Sequence, residues 1–196
     1  MKSSKVWKVA LLAAALAASG CVVRSVQPWL AESSMVPVPA VVGVWHAEKD
    51  NSTLTVTEGA GGYKLSMLSD DKKAAPFVAG LHRVGELLLM DVGPEEIDNI
   101  GSIALVPAHL LYRVELKGDS MALHPLDEKT FGARAAAAKL LMAEGGSEKD
   151  GYLVVAGAEK VEAFLRGQLK DAKLFTAEPQ YLFKRQAPAA AAPAAK

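Results

Sequence analysis

Few side chains in this sequence are equipped for chemistry, and their spacing matters as much as their types. There is one cysteine, Cys21, and there are four histidines, His46, His82, His109 and His124. No two histidines stand within helix-face or hairpin-turn reach along the chain, so no local zinc motif exists. A single thiol forms neither an internal disulfide nor a thiolate cluster. His109 and His124 border the same expected hairpin and are the pair placed to meet in space. Asp91, Glu95, Glu96 and Asp98 offer oxygen ligands of the kind calcium takes, but the spacing and central glycine of an EF-hand loop are missing, and a solvated acidic loop is the reading adopted. Gly-x-Ser-x-Gly does not occur, and Ser102 and Ser120 lack an identifiable base. The glycines from Gly59 to Gly62 are followed by neither a Walker lysine nor a Rossmann fingerprint, so they read as a hairpin loop. The sequence therefore presents no catalytic residue, no metal site and no cofactor motif. A site assembled from distant residues stays open.

The elements that hold these residues begin with a leader. Lys2, Lys5 and Lys8 precede a run from Val9 to Ala18 that is almost wholly Ala and Leu, and Ser19-Gly20-Cys21 follows. A basic start, a short apolar stretch and small residues at a cleavage point make a secretory signal peptide over residues 1–20. The apolar stretch is too short for a finished membrane span. The whole chain carries 22 basic and 22 acidic residues, and loss of the three leader lysines leaves 19 basic residues against 22. A mildly acidic chain lacks the basic face that a nucleic-acid partner needs.

The ending Ala18-Ser19-Gly20-Cys21 resembles the lipobox of bacterial lipoproteins. The resemblance implies that the Cys21 thiol is diacylglycerylated and becomes the acylated N-terminus. It departs from the commonest pattern at Ala18, where a branched apolar residue is usual. An ordinary leader cleaved near Ala18 would leave Cys21 a free thiol. In the lipoprotein class an Asp after the cysteine favours the inner membrane. Val22 is not Asp, so the periplasmic side of the outer membrane is the implied address and the bilayer the implied partner. Each buried acyl methylene contributes about 0.8 kcal/mol, so several chains would make the anchor permanent.

Residues 21–40 read as the lipidated N-terminus and a Pro/Ser tether, interrupted by Pro28, Pro37 and Pro39. Trp29 and Leu30 either lean on the headgroup region or pack on the domain. Residues 186–196, nearly all Ala and Pro, cannot build a core and read as a disordered tail.

Residues 41–185 read as a single α+β domain. Thr53, Thr55 and Thr57 alternate with Leu54 and Val56; Tyr63, Leu65 and Met67 alternate with Lys64 and Ser66; Leu110, Tyr112, Val114 and Leu116 alternate with Arg113, Glu115 and Lys117. This period of two predicts half-buried strands, and the short turns between them favour antiparallel hairpins. Asp127 to Ala143 is expected to be one helix with Phe131, Ala135, Ala138 and Met142 on one face, and Ala158 to Leu169 a second. Strands at Tyr152–Ala156 and Tyr181–Lys184 complete a mostly antiparallel sheet, a partial barrel being one form, with two helices in the C-terminal half.

Gly43-Val44-Trp45 resembles the Gly-x-Trp that opens the first strand of lipocalins. That resemblance implies a barrel end closed by Trp45 with Arg185 packed across it. An apolar ligand would lie in a cleft between sheet and helices, with Trp45, Tyr63, Tyr112 and Phe131 as its expected lining. Two roles follow: non-catalytic binding of an apolar small molecule or envelope component, or structural assembly through an exposed edge or apolar patch. A hydrolase would require a buried, shifted histidine or carboxylate facing a cleft.

Overall fold

The computed structural model describes residues 23–49, 51–69, 74–95, 108–143, 152–168 and 171–186. The leader, Cys21, Glu96 and Asp98 of the acidic loop, Ser102, and the tail beyond Gln186 lie outside these residues.

Alternation of apolar and polar residues builds seven consecutive antiparallel strands: β2 (Gly43–Ala47), β3 (Thr53–Gly59), β4 (Gly62–Leu68), β5 (Ala74–Val84), β6 (Leu87–Pro94), β7 (Leu110–Lys117) and β8 (Ser120–Pro125). The last strand among the described residues, β11 (Tyr181–Arg185), returns to lie between β8 and β2 and closes an eight-stranded barrel. Phe183 carries the closure, opposite Met121 on one side and Ala47 on the other. Closure gives each of the eight barrel strands a neighbour on both sides. Tight hairpins define one end of the barrel; at Lys117↔Ser120 the two-residue loop uses Gly118 at φ 56°, a left-handed conformation that suits glycine.

The same alternation produces two cores. Inward-facing Trp45, Leu54, Val56, Leu65, Leu81, Met90, Val114, Met121, Leu123 and Phe183 fill the barrel. Outward-facing Val84, Leu89 and Leu111 bury against α1 (Glu128–Ala137) and α2 (Ala158–Gln168), through Phe131, Ala135, Val161 and Leu165. A small sheet flanks this layer, with β1 (Arg24–Ser25) parallel to β10 (Tyr152–Val154) and β10 antiparallel to β9 (Leu141–Ala143). The fold is α+β with a fully closed barrel. Among the described residues no helix is long and apolar enough to cross a membrane.

Two expectations need correction. The segment from Arg24 to Ala40 is not a free spacer. Trp29 and Leu30 are buried in the outer core, and Trp29 meets Phe131 edge-on at 5.6 Å. Burial of an indole ring outweighs what the intervening prolines would otherwise allow. Nor does the first helix continue to Ala143. Asp127 caps its start by accepting from Thr130 N at 2.8 Å, but it stops at Ala137. Lys139 turns left-handed at φ 56°, and Leu140 N donates to Ala135 O at 3.0 Å. This is a Schellman-type stop. Burial of Leu140 in the outer core and pairing of Leu141–Ala143 with β10 override the helical preference of the alanine run.

Candidate functional site

Strand length creates the first feature of interest. β5 has 11 residues and β4 has 7. β4 pairs with β5 only as far as Tyr63↔Ala79, so the part of β5 beyond that pair needs another neighbour. The N-terminal segment supplies it: Val36 N donates to Leu81 O at 2.7 Å, and Met35 bridges to His82 in antiparallel register. This strap then turns at Pro39–Val41 and enters β2. Tyr63 ties it down, its hydroxyl accepting from Val38 N at 2.7 Å.

Between the strap and the tip of the β3–β4 hairpin lies a cleft of about 560 Å³. Met35, Val36 and Pro37 form one wall and Gly59, Gly61 and Gly62 the other, with Tyr63 and Leu81 buried at its base. Glu32 and Glu58 stand exposed at the rim. The cleft is open on one side, its lining mixes apolar side chains with glycine backbone and two carboxylates, and its volume lies within the range of small-molecule sites.

The barrel end beneath the strap is sealed. The Arg185 guanidinium lies 4.1 Å from the centre of the Trp45 ring. It donates to Val42 O at 2.7 Å and to Ala40 O. Trp45 Nε1 donates to Val41 O at 2.8 Å. Gly43 sits at φ 141°, and a Cβ there would meet Arg185 Nη1 at 2.7 Å, so the glycine admits the guanidinium.

A buried polar cluster pins the strap to the outside of the barrel. Asp91 on β6 accepts from Trp29 N at 2.6 Å and is paired with His109 Nδ1 at 2.9 Å. Glu162 on α2 accepts from Ala31 N at 3.2 Å, and Arg166 holds its carboxyl below the usual range. His82 is fully buried, with Nδ1 2.8 Å from Ser34 Oγ. Burial pushes His82 below the ordinary histidine value, against the opposing pull of Asp91 and Glu162.

The four expected cleft residues do not share a site. Tyr63 lines the cleft. Trp45 and Tyr112 belong to the barrel core, where burial pushes the Tyr112 phenol up. Phe131 lies in the outer core, stacked edge-on against Trp29 and Phe164. The space expected between sheet and helices is filled by side chains. His109 and His124 take separate partners, Asp91 for the first and Thr176 O at 3.0 Å for the second. Asp91 is not part of a solvated loop but a buried strand residue, while Glu95 pairs with Lys64 at 2.8 Å. Sequence reasoning missed Ser34, His82 and the Met35–Pro37 wall. Only the length mismatch of β4 and β5 could have signalled them, and it shows no local pattern.

Among the described residues no group of three or more His, Cys, Asp and Glu side chains could hold a metal ion. No family model matches the chain, and the comparisons with curated proteins and with solved structures found no match.

Proposed function

We propose that this chain is a lipid-anchored, periplasm-facing barrel that binds an apolar small molecule, without catalysis, in the cleft between the strap and the β3–β4 hairpin. The cleft carries the reading. Its apolar walls and buried base would shed water on binding, and Glu32 and Glu58 favour a ligand with a positive or hydrogen-bonding end. The Trp45–Arg185 closure supports a lipocalin-like opening in this strand. Val23 is already buried, only two residues beyond Cys21, so an acylated Cys21 would hold the barrel close against the bilayer.

Assembly through an apolar surface is less well supported. The large exposed apolar side chains among the described residues are Leu68, Val78 and Val155, at the ordinary level of isolated surface residues. The Ser34–His82 pair does not form a nucleophile and base. Ser34 donates its proton to Ala31 O at 2.7 Å, so it accepts from Nδ1 and its oxygen is not activated. The carboxylate of Asp91 is already engaged by Trp29 and His109.

Native mass spectrometry of the full protein, purified from its own envelope, is the test. A reproducible additional small-molecule mass is expected, and Val36→Trp, which crowds the cleft from its wall, should lose it. Retention of the same mass in that variant, or a bare protein from the start, would refute the site. The anchor has its own test: Cys21→Ser should leave the membrane fraction or accumulate unprocessed, and unchanged attachment would refute acylation at Cys21.

A further inference from the structure

The buried ring of His82 has one nitrogen with nothing to bind. Ser34 Oγ donates to Ala31 O, which leaves that oxygen as acceptor for Nδ1–H. The proton therefore sits on Nδ1, and Nε2 carries a lone pair. Nε2 has no hydrogen-bond partner in a residue that is fully buried. Buried polar atoms without protein partners are rare and mark strain, chemistry, or a place for a bound water or ion.

The end of the Met35 side chain lies beside this nitrogen, its methyl nearer than its sulfur. Met35 and His82 are register partners, so their side chains lie on the same face of the sheet. Gly80, two residues before His82, shares that face and leaves it bare. A Cβ placed on Gly80 would lie 2.8 Å from His82 Nε2, 2.8 Å from the Met35 methyl and 3.4 Å from Met35 Sδ. The imidazole nitrogen and the end of the Met35 side chain are thus packed together over the glycine, which has no Cβ to keep them apart.

We propose that His82 Nε2 and Met35 Sδ form a binding site for a soft monovalent cation, Cu(I), over Gly80. An imidazole and a thioether suit copper(I), and hard cations such as magnesium and calcium do not use sulfur. The hydrogen bond of Nδ1 to Ser34 is the supporting contact that a ligating histidine normally has; it fixes the tautomer and the ring orientation. Asp91, register partner of Gly80, and Glu162 act on His82 with negative charge and favour a cation beside it. Met35 is only half-buried and forms a wall of the cleft, which provides an entry path. The site shares Met35 with the cleft wall but stands whether or not the proposed small-molecule ligand exists.

The experiment is anaerobic titration of the full chain with Cu(I) against the chromophoric chelator bicinchoninate. A Cys21→Ser background keeps the leader thiol from taking the metal. One Cu(I) per chain is expected, and Met35→Leu, which removes the sulfur at nearly constant volume, should weaken binding by about tenfold or more. X-ray absorption should show both a nitrogen and a sulfur neighbour of copper. His82→Gln should abolish binding; if it fails to fold, Met35→Leu and the absorption spectrum still decide. A chain that leaves all copper with the chelator, copper without a sulfur neighbour, or unchanged affinity in Met35→Leu would overturn the assignment.

Discussion

At the scale of single residues, Gly43 and Arg185 act as a unit. The glycine adopts a backbone conformation that L side chains rarely take, and its missing Cβ is the space the guanidinium occupies. Gly43→Ala should therefore destabilise the barrel by more than about 1 kcal/mol, through backbone strain and displacement of Arg185. Arg185→Ala, which removes the ring contact and two carbonyl hydrogen bonds, should cost about 2 kcal/mol. The two effects share a cause, so the double variant should cost less than the sum, by about 0.5 kcal/mol or more. Urea midpoints of the four proteins check this, and simple additivity would mean that the glycine and arginine are not coupled.

At the scale of elements, the strap decides the outer core. Trp29→Ala should cost about 3–5 kcal/mol as a large-to-small change in a packed site. Because β1, the Asp91 contact and the Glu162 contact lie on the same strap, its amides should lose hydrogen-exchange protection before those of β6 and β7. Uniform loss across the barrel would refute a separable strap. Acid should loosen the same element. His82, faced by Ser34 and Met35 from the strap, by Asp91 from β6 and by Glu162 from α2, has a folded pKa below its ordinary 6.5. Below that value the unfolded chain takes up the proton more readily than the folded one, so stability should fall as pH drops from about 6.5 toward the lowered value, with no contribution above it. Glu162 adds a second loss: its folded pKa lies below 4.5, so its stabilisation is present above that value and lost as pH falls through the lowered one. Urea unfolding from about pH 7 to pH 5 should show a slope that His82→Gln removes. An equal slope in the variant would place the titration elsewhere.

At the scale of the whole molecule, the barrel is completed by its most distant strand. β11 pairs on both sides, with β8 and with β2, and Phe183 is fully buried between them. A chain ended before Tyr181 would leave β2 and β8 as open edges and the inner core exposed on one side. It should lose cooperative unfolding and aggregate, as followed by near-ultraviolet circular dichroism and light scattering. A monomeric, cooperatively unfolding truncation would show that closure is dispensable. The strap and the helices cover the outer face of β5 to β7, so the outer core also depends on a barrel already formed.

The alternation of Tyr63, Leu65 and Met67, and of Leu110, Tyr112, Val114 and Leu116, determined the antiparallel strands and their inward faces, because a period of two sorts side chains without reference to the rest of the fold. The resemblance of Gly43-Val44-Trp45 to a lipocalin opening implied Arg185 across Trp45, and the structure has that contact. The sequence also determined two helices. What it could not carry is anything that depends on unequal partners. The first helix ends at Ala137 because Leu140 is needed in a core assembled by distant segments. The strap docks because β4 falls short of β5 and leaves Leu81 and His82 to be paired. The cleft and the convergence of Met35 with His82 exist only because of that shortfall. Local patterns encode which face of a strand is buried; tertiary packing alone decides which neighbour buries it.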